Sequence, residues 1–150
     1  MLGCEDGDVR LTRDNFPQIY WNYEWWNICQ FQFADNTYGI DQFCKKVGLY
    51  EGGTTKNASK EDEKLYKPMK HYESFLVGSC KDTDTWPDCE VDCNVEGPGG
   101  GCSYREYHSG NETKEYYVCR KEQSWLYFLY CNGPHDLPLS SCYGKYIIIR

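Results

Sequence analysis

Asn36-Thr37-Tyr38-Gly39-Ile40-Asp41-Gln42-Phe43-Cys44-Lys45-Lys46-Val47-Gly48 is the stretch on which the fold turns. Ile40, Phe43, Cys44 and Val47 recur at i, i+3, i+4 and i+7, which is one face of a helix. Asp35 or Asn36 can cap its start by accepting the first unpaired N–H groups. Lys45 and Lys46 fall in the last turn, where the macrodipole is negative, and Gly48 can take the left-handed stop position. A helix over residues 36–47 is expected, with Cys44 facing the core and able to staple it to a strand.

Strands flank this helix. Val9-Arg10-Leu11 and residues 18–29 read as strands, the second with Ile19, Trp21, Tyr23 and Trp25 alternating against Tyr20, Asn22 and Glu24. Residues 74–77, 115–119, 125–131 and 145–150 are further candidates, rich in aromatic and branched side chains. Residues 51–70 carry Gly52-Gly53 and the mixed-charge run from Lys60 to Lys64, and read as a solvated, mobile excursion. Gly97-Pro98-Gly99-Gly100-Gly101 must be a turn or hinge. One helix among short strands that do not alternate with helices points to an α+β domain.

Composition sets the compartment. Phe, Trp and Tyr make up 17% of the 150 residues, Met only two, and ten cysteines supply the restraint that an aliphatic-poor core lacks. Such cysteine density belongs to an oxidising, extracellular setting, and ten cysteines allow about 945 pairings. Asn57-Ala58-Ser59 and Asn111-Glu112-Thr113 are glycosylation acceptor triplets, in keeping with a secreted glycoprotein. Met1-Leu2-Gly3-Cys4 opens no apolar leader, so a mature chain is expected, and no apolar run reaches the ~20 residues of a membrane span. The net charge of −7 disfavours nucleic acid, whose phosphates it repels.

Catalysis finds little footing. His71, His108 and His135 fall in loop-like surroundings outside any nucleophile motif, and a thiol nucleophile would have to be free and acidic. Cys89, Cys93, Cys102 and His108 could be drawn as a zinc site, but disulfides account for the same cysteines. We expect no enzyme, no cofactor and no resident metal. Asp82, Asp84, Asp88, Glu90 and Asp92 offer alternate oxygens on a loop. They lack the glycine and spacing of an EF-hand, so a solvated loop facing a basic protein partner is preferred to a calcium site.

Together these segments resemble a scavenger receptor cysteine-rich (SRCR) domain. The family's opening V-R-L strand is matched by Val9-Arg10-Leu11, and its N-G-x-W-G-T-V-C strand by Asn22-Tyr23-Glu24-Trp25-Trp26-Asn27-Ile28-Cys29. Its helix ending in V-C-R-x-L-G-Y is matched by Phe43-Cys44-Lys45-Lys46-Val47-Gly48, with Tyr50 one place late. Cys80, Cys89 after Trp86, Cys102 and Cys119 stand for the later cysteines, so the resemblance covers about residues 9–119.

The resemblance implies a small disulfide-rich domain whose curved antiparallel sheet cradles the helix. It also implies the pairings Cys29–Cys102, Cys44–Cys119 and Cys80–Cys89, with Cys93 an alternative to Cys102. A local Cys131–Cys142 bridge would then leave Cys4 with Cys93. Residues 1–119 would form the SRCR-like domain, and residues 120–150 an appended, disulfide-bonded hairpin. Trp25 matches the family's structural tryptophan and is expected to be buried.

Tyr23 and Trp26 stand where the family has glycine, so they are the candidate exposed contact residues, along with Asp82, Asp84 and Asp88. Leu76-Val77-Gly78-Ser79 occupies the stretch where the family carries paired acids, so its calcium-dependent mode is not implied. The function expected is extracellular recognition or adhesion, as a receptor module binding an extracellular or cell-surface protein. A secreted cysteine-rich effector (toxin, inhibitor or signalling ligand) is the alternative.

Overall fold

A computed structural model describes residues 3–66, 74–93, 102–119 and 126–142. The expected helix is present as α1 (Thr37–Lys46), and Asn36 rather than Asp35 caps it, its side-chain oxygen accepting from the Gly39 N–H at 2.7 Å. Ile40, Phe43 and Cys44 are buried, as the spacing requires. Phe43 meets Phe33 and Trp86 edge-on, with ring centres 6.4 and 6.2 Å away.

Upstream lie β1 (Val9–Leu11), β2 (Pro17–Trp21) and β3 (Glu24–Asn27). Residues 18–29 are thus a hairpin, and its two-residue turn reverses the parity of the inward side chains. Ile19 pairs with Trp26 and Trp21 with Glu24, whereas Tyr20 pairs with Trp25 on the other face. Trp26, not Trp25, therefore lies on the core side. Its indole donates to Trp21 O at 2.9 Å and its ring packs 5.6 Å from Tyr116. Trp25 is half-buried beneath the Arg10 guanidinium, 4.3 Å from the ring centre. Both expectations are corrected by that inversion.

Residues 67–70 lie outside the described residues, and residues 51–66 are more ordered than their composition suggests. They contain β4 (Gly53–Asn57) and α2 (Lys60–Leu65), the latter opened by a reciprocal capping box between Ser59 and Asp62. β5 (Ser74–Leu76) and β7 (Glu112–Cys119) appear where strands are expected, and β6 (Cys102–Ser109) is a further strand beyond those expectations. β8 (Tyr127–Cys131) and β9 (Leu139–Ser140) complete the described chain. The candidate strand 145–150 and the glycine run 97–101 lie outside the described residues.

The described strands form three small sheets in place of one curved sheet, ordered β3-β2-β1-β9, β5-β7-β6 and β4-β8. All these ladders are antiparallel. Two short helices among the strands of the described residues make these a mostly β, disulfide-rich α+β arrangement. β8 and β9 do not pair with each other as an appended hairpin: β8 pairs with β4 and β9 with β1. Leu129 of β8 is fully buried in the same core as Val9, Ile19, Phe33 and Phe43.

This placement of β8 corrects the cysteine pairing. The bonds are Cys4–Cys142, Cys29–Cys119, Cys44–Cys131, Cys80–Cys89 and Cys93–Cys102, so only Cys80–Cys89 stands as expected. Cys29 runs beside β5, its N–H donating to Phe75 O at 2.8 Å, and Ser74 of β5 is the register partner of Cys119. Cys44 looks onto β4 at Gly53, whose register partner is Cys131. A β-carbon on Gly53 would stand 2.8 Å from Tyr130 O and 3.0 Å from Cys44 Sγ, so only glycine fits there. Cys142 follows β9 along β1 and so reaches Cys4 rather than Cys131.

Tyr127 ties the C-terminal part to the hairpin: its buried hydroxyl donates to Ile28 O at 2.8 Å. Burial holds its phenol well above the ordinary tyrosine value of 10.0. The folded form keeps this proton more tightly than the unfolded chain. Stability is therefore fully present below about pH 10 and falls as the pH rises beyond it. Tyr127→Phe should flatten that alkaline decline while costing about 1 kcal/mol at neutral pH for the lost hydrogen bond. Denaturant titrations across that range read both effects, and an unchanged alkaline slope would contradict the assignment.

Candidate functional site

The β2–β3 turn consists of Asn22 and Tyr23, both in the left-handed region, with φ of 50° and 64°. This is the type I′ geometry whose twist matches a two-residue hairpin. Asparagine suits the first position, but the second is ordinarily glycine, since a β-carbon there costs roughly 1–2 kcal/mol. Tyr23 nevertheless occupies it, with 77% of its surface exposed. The two-residue turn thus keeps its tight form, and it carries a large aromatic ring into solvent.

The strained turn is held from the N-terminal segment. Asn22 N–H donates to Asp6 Oδ1 at 3.1 Å. The other carboxylate oxygen of Asp6 accepts from Lys114 Nζ at 3.0 Å and from the Tyr107 hydroxyl. Tyr107 and Lys114 are register partners on β6 and β7, so they reach Asp6 side by side. Asp6 thereby joins three elements. Burial, and then the Asp6 hydrogen bond, hold the Tyr107 phenol above its ordinary pKa. Asp6 likewise raises Lys114, its hydrogen bond outweighing the effect of burial.

The N-terminal segment is itself fixed at both sides. Gly7 N–H donates to Tyr20 O at 2.9 Å, and Tyr20 N–H donates to Asp8 O at 2.8 Å. Buried Asp8 accepts from the Ser141 hydroxyl at 2.8 Å, next to the Cys4–Cys142 bond. Between this segment, the turn and the β6–β7 hairpin lies an open cleft of about 210 Å³, lined by Cys4, Glu5, Asp6, Tyr20, Tyr23, Tyr107 and Lys114.

The other candidates divide. Trp26 belongs to the aromatic packing beneath the turn and not to the exposed surface. Asp82 and Asp88 are exposed on the loop closed by Cys80–Cys89, and Asp84 turns a carboxylate oxygen to the Lys81 N–H at 2.7 Å. Among the described residues these acids form no group of three whose ligand atoms converge within 4.8 Å. Trp86 fastens this loop to the N-terminal segment, its indole donating to Gly7 O at 2.9 Å.

All ten cysteines are bonded, so neither a thiol nucleophile nor a thiolate set for zinc is available. That includes the grouping of Cys4 and Cys142 around Asp8. His108 lies on β6, with Nδ1 3.0 Å from the Thr113 hydroxyl; His135 approaches Gly133 O, and His71 is outside the described residues. Asn57 is exposed on β4, where its side-chain oxygen accepts from Gln30. Asn111 is exposed at the β6–β7 turn.

Asp6, Tyr20, Tyr107 and Lys114 escaped the sequence reading because they converge from segments a hundred residues apart. The one local hint is the turn-like run Glu5-Asp6-Gly7-Asp8.

No protein-family model, no curated protein and no solved structure matches this chain. No described helix is long and apolar enough to cross a membrane. Five disulfides are consistent with an extracellular protein.

Asp6→Ala should cost about 2 kcal/mol, because it removes charge-assisted hydrogen bonds and leaves Lys114 without its counter-ion. Equilibrium unfolding measures this. A stability equal to the parent's would show that Asp6 does not anchor the turn.

Proposed function

We propose that this chain is an extracellular recognition module of SRCR-like type, without enzymatic activity, which binds a protein partner and uses Tyr23 as a principal contact. The observation carrying the proposal is the conformation of Tyr23. Local strain persists where the surrounding structure over-determines it, and such positions gather at functional sites. Here an exposed tyrosine takes a glycine's place, and it contributes no buried packing to offset the cost. Tyrosine is also among the residues that concentrate binding energy at protein interfaces.

The SRCR-like reading draws support from the order of the disulfides. The resemblance implies that the family's first cysteine joins its fifth, the second its sixth and the third its fourth. Cys29–Cys119, Cys44–Cys131 and Cys80–Cys89 follow that interlaced order if Cys119 and Cys131 are taken as the fifth and sixth. The five-bond scaffold suits secretion or display at the cell surface, with exposed Asn57 and Asn111 as glycan acceptors. The acidic surface suits a basic protein partner.

Tyr23→Gly should raise stability by about 1 kcal/mol, seen as a rise of about 3 °C in Tm, while lowering binding. The check pairs calorimetry with binding of labelled, oxidised protein to a panel of cell surfaces. Higher stability with unchanged binding would remove Tyr23 from the contact surface. A lower Tm would mean that the ring serves the fold.

A further inference from the structure

We propose that the cleft beside Tyr23 seats a lysine or arginine side chain presented by the protein partner. This deepens the recognition reading and rests on it. At about 210 Å³ the cleft is smaller than the roughly 300–1,000 Å³ that holds a drug-sized ligand, so its natural occupant is one side chain.

Its lining decides the charge. Glu5 and Asp6 are set against Lys114 alone, which leaves one net negative charge, in a protein whose net charge is −7. Lys114 does not oppose a cation with its full field, because Asp6 holds it at 3.0 Å. The exposed Glu5 carboxylate has no ion pair or hydrogen bond among the described residues and is ready to take one. Tyr20, Tyr23 and Tyr107 also line it, and a cation over a tyrosine face is attracted by the ring quadrupole. An entering anion would meet the opposite balance: the Glu5 carboxylate uncompensated, and the one lysine already engaged by Asp6.

The Asp6 bond to the turn fits the same role. By fixing Asn22, it holds the neighbouring Tyr23 at the cleft mouth before any partner arrives, so less freedom is lost on binding.

The test is an NMR titration of the full oxidised protein with the N-acetyl amides of arginine, lysine, leucine and glutamate. The arginine and lysine derivatives should shift the Tyr23, Tyr107 and Lys114 signals saturably, while leucine and glutamate leave them in place. Glu5→Gln and Tyr23→Gly, both at exposed positions, should each weaken the cationic derivatives about threefold. Absence of a saturable shift from either cation, or a larger shift from glutamate, would overturn the assignment. On the cell-surface panel, loss of binding in both variants supports it. Loss with Tyr23→Gly but full binding with Glu5→Gln would overturn the cationic occupant and leave the recognition reading intact.

Discussion

Two disulfides that cross in sequence, Cys29–Cys119 and Cys44–Cys131, constrain everything else in this molecule. They close loops with sequence separations of 90 and 87, and each such closure removes about 4–5 kcal/mol of chain entropy from the unfolded state in the loop-closure model. The restraint is needed because the regular structure is so fragmentary. β1 has three residues, β9 two, and among the described strands β4 pairs only with β8. Sheets this small are marginal in water unless another layer packs on them. Here the layer is aromatic: Trp21 meets Phe75 with ring centres 5.3 Å apart and Trp26 meets Tyr116 at 5.6 Å, both reaching from the hairpin to the β5-β7-β6 sheet. Cys29–Cys119 joins the hairpin to β7, whose sheet carries the partner rings, and Cys44–Cys131 ties α1 to β8.

A third bond, Cys4–Cys142, extends the same logic to the two ends of the described chain. Beside it, Asp8 and Ser141 are joined at 2.8 Å, and the chain between Cys4 and Asp8 is drawn across β2. Asp6 is thereby fixed where it can hold the β2–β3 turn and the β6–β7 hairpin together. The strain at Tyr23 is sustained by this arrangement, so a local conformational cost at the surface depends on a covalent link far away in sequence. A rigid scaffold positioning an adaptable surface loop is the usual division of labour in recognition proteins.

The helix was legible because three independent signals agree on it: the apolar spacing, the Asn36 cap and the Gly48 stop. β1, β5 and β7 were legible because their branched and aromatic residues are local facts. β4 was not, since Gly-Thr-Thr-Lys-Asn has no apolar alternation and becomes a strand only by pairing with β8. The alternation through residues 18–29 misled for a definite reason. A two-residue turn inserts an even number of residues but reverses direction, which moves the core-facing role from Trp25 to Trp26. The cysteine partners slipped by one position because Cys102, Cys119 and Cys131 look alike in sequence. Only β8 lying against β4 decides which of them faces Cys44. The cleft was illegible for the same reason: its residues share a place in the fold and no spacing in the chain.

The most direct test of this account is peptide mapping of the unreduced protein, with each disulfide-linked pair identified by mass spectrometry. The account predicts one linked species carrying Cys29 with Cys119 and another carrying Cys44 with Cys131. Recovery of Cys29 with Cys102 and Cys44 with Cys119 would contradict it, and would detach β8 from the core on which the sheets and the turn depend.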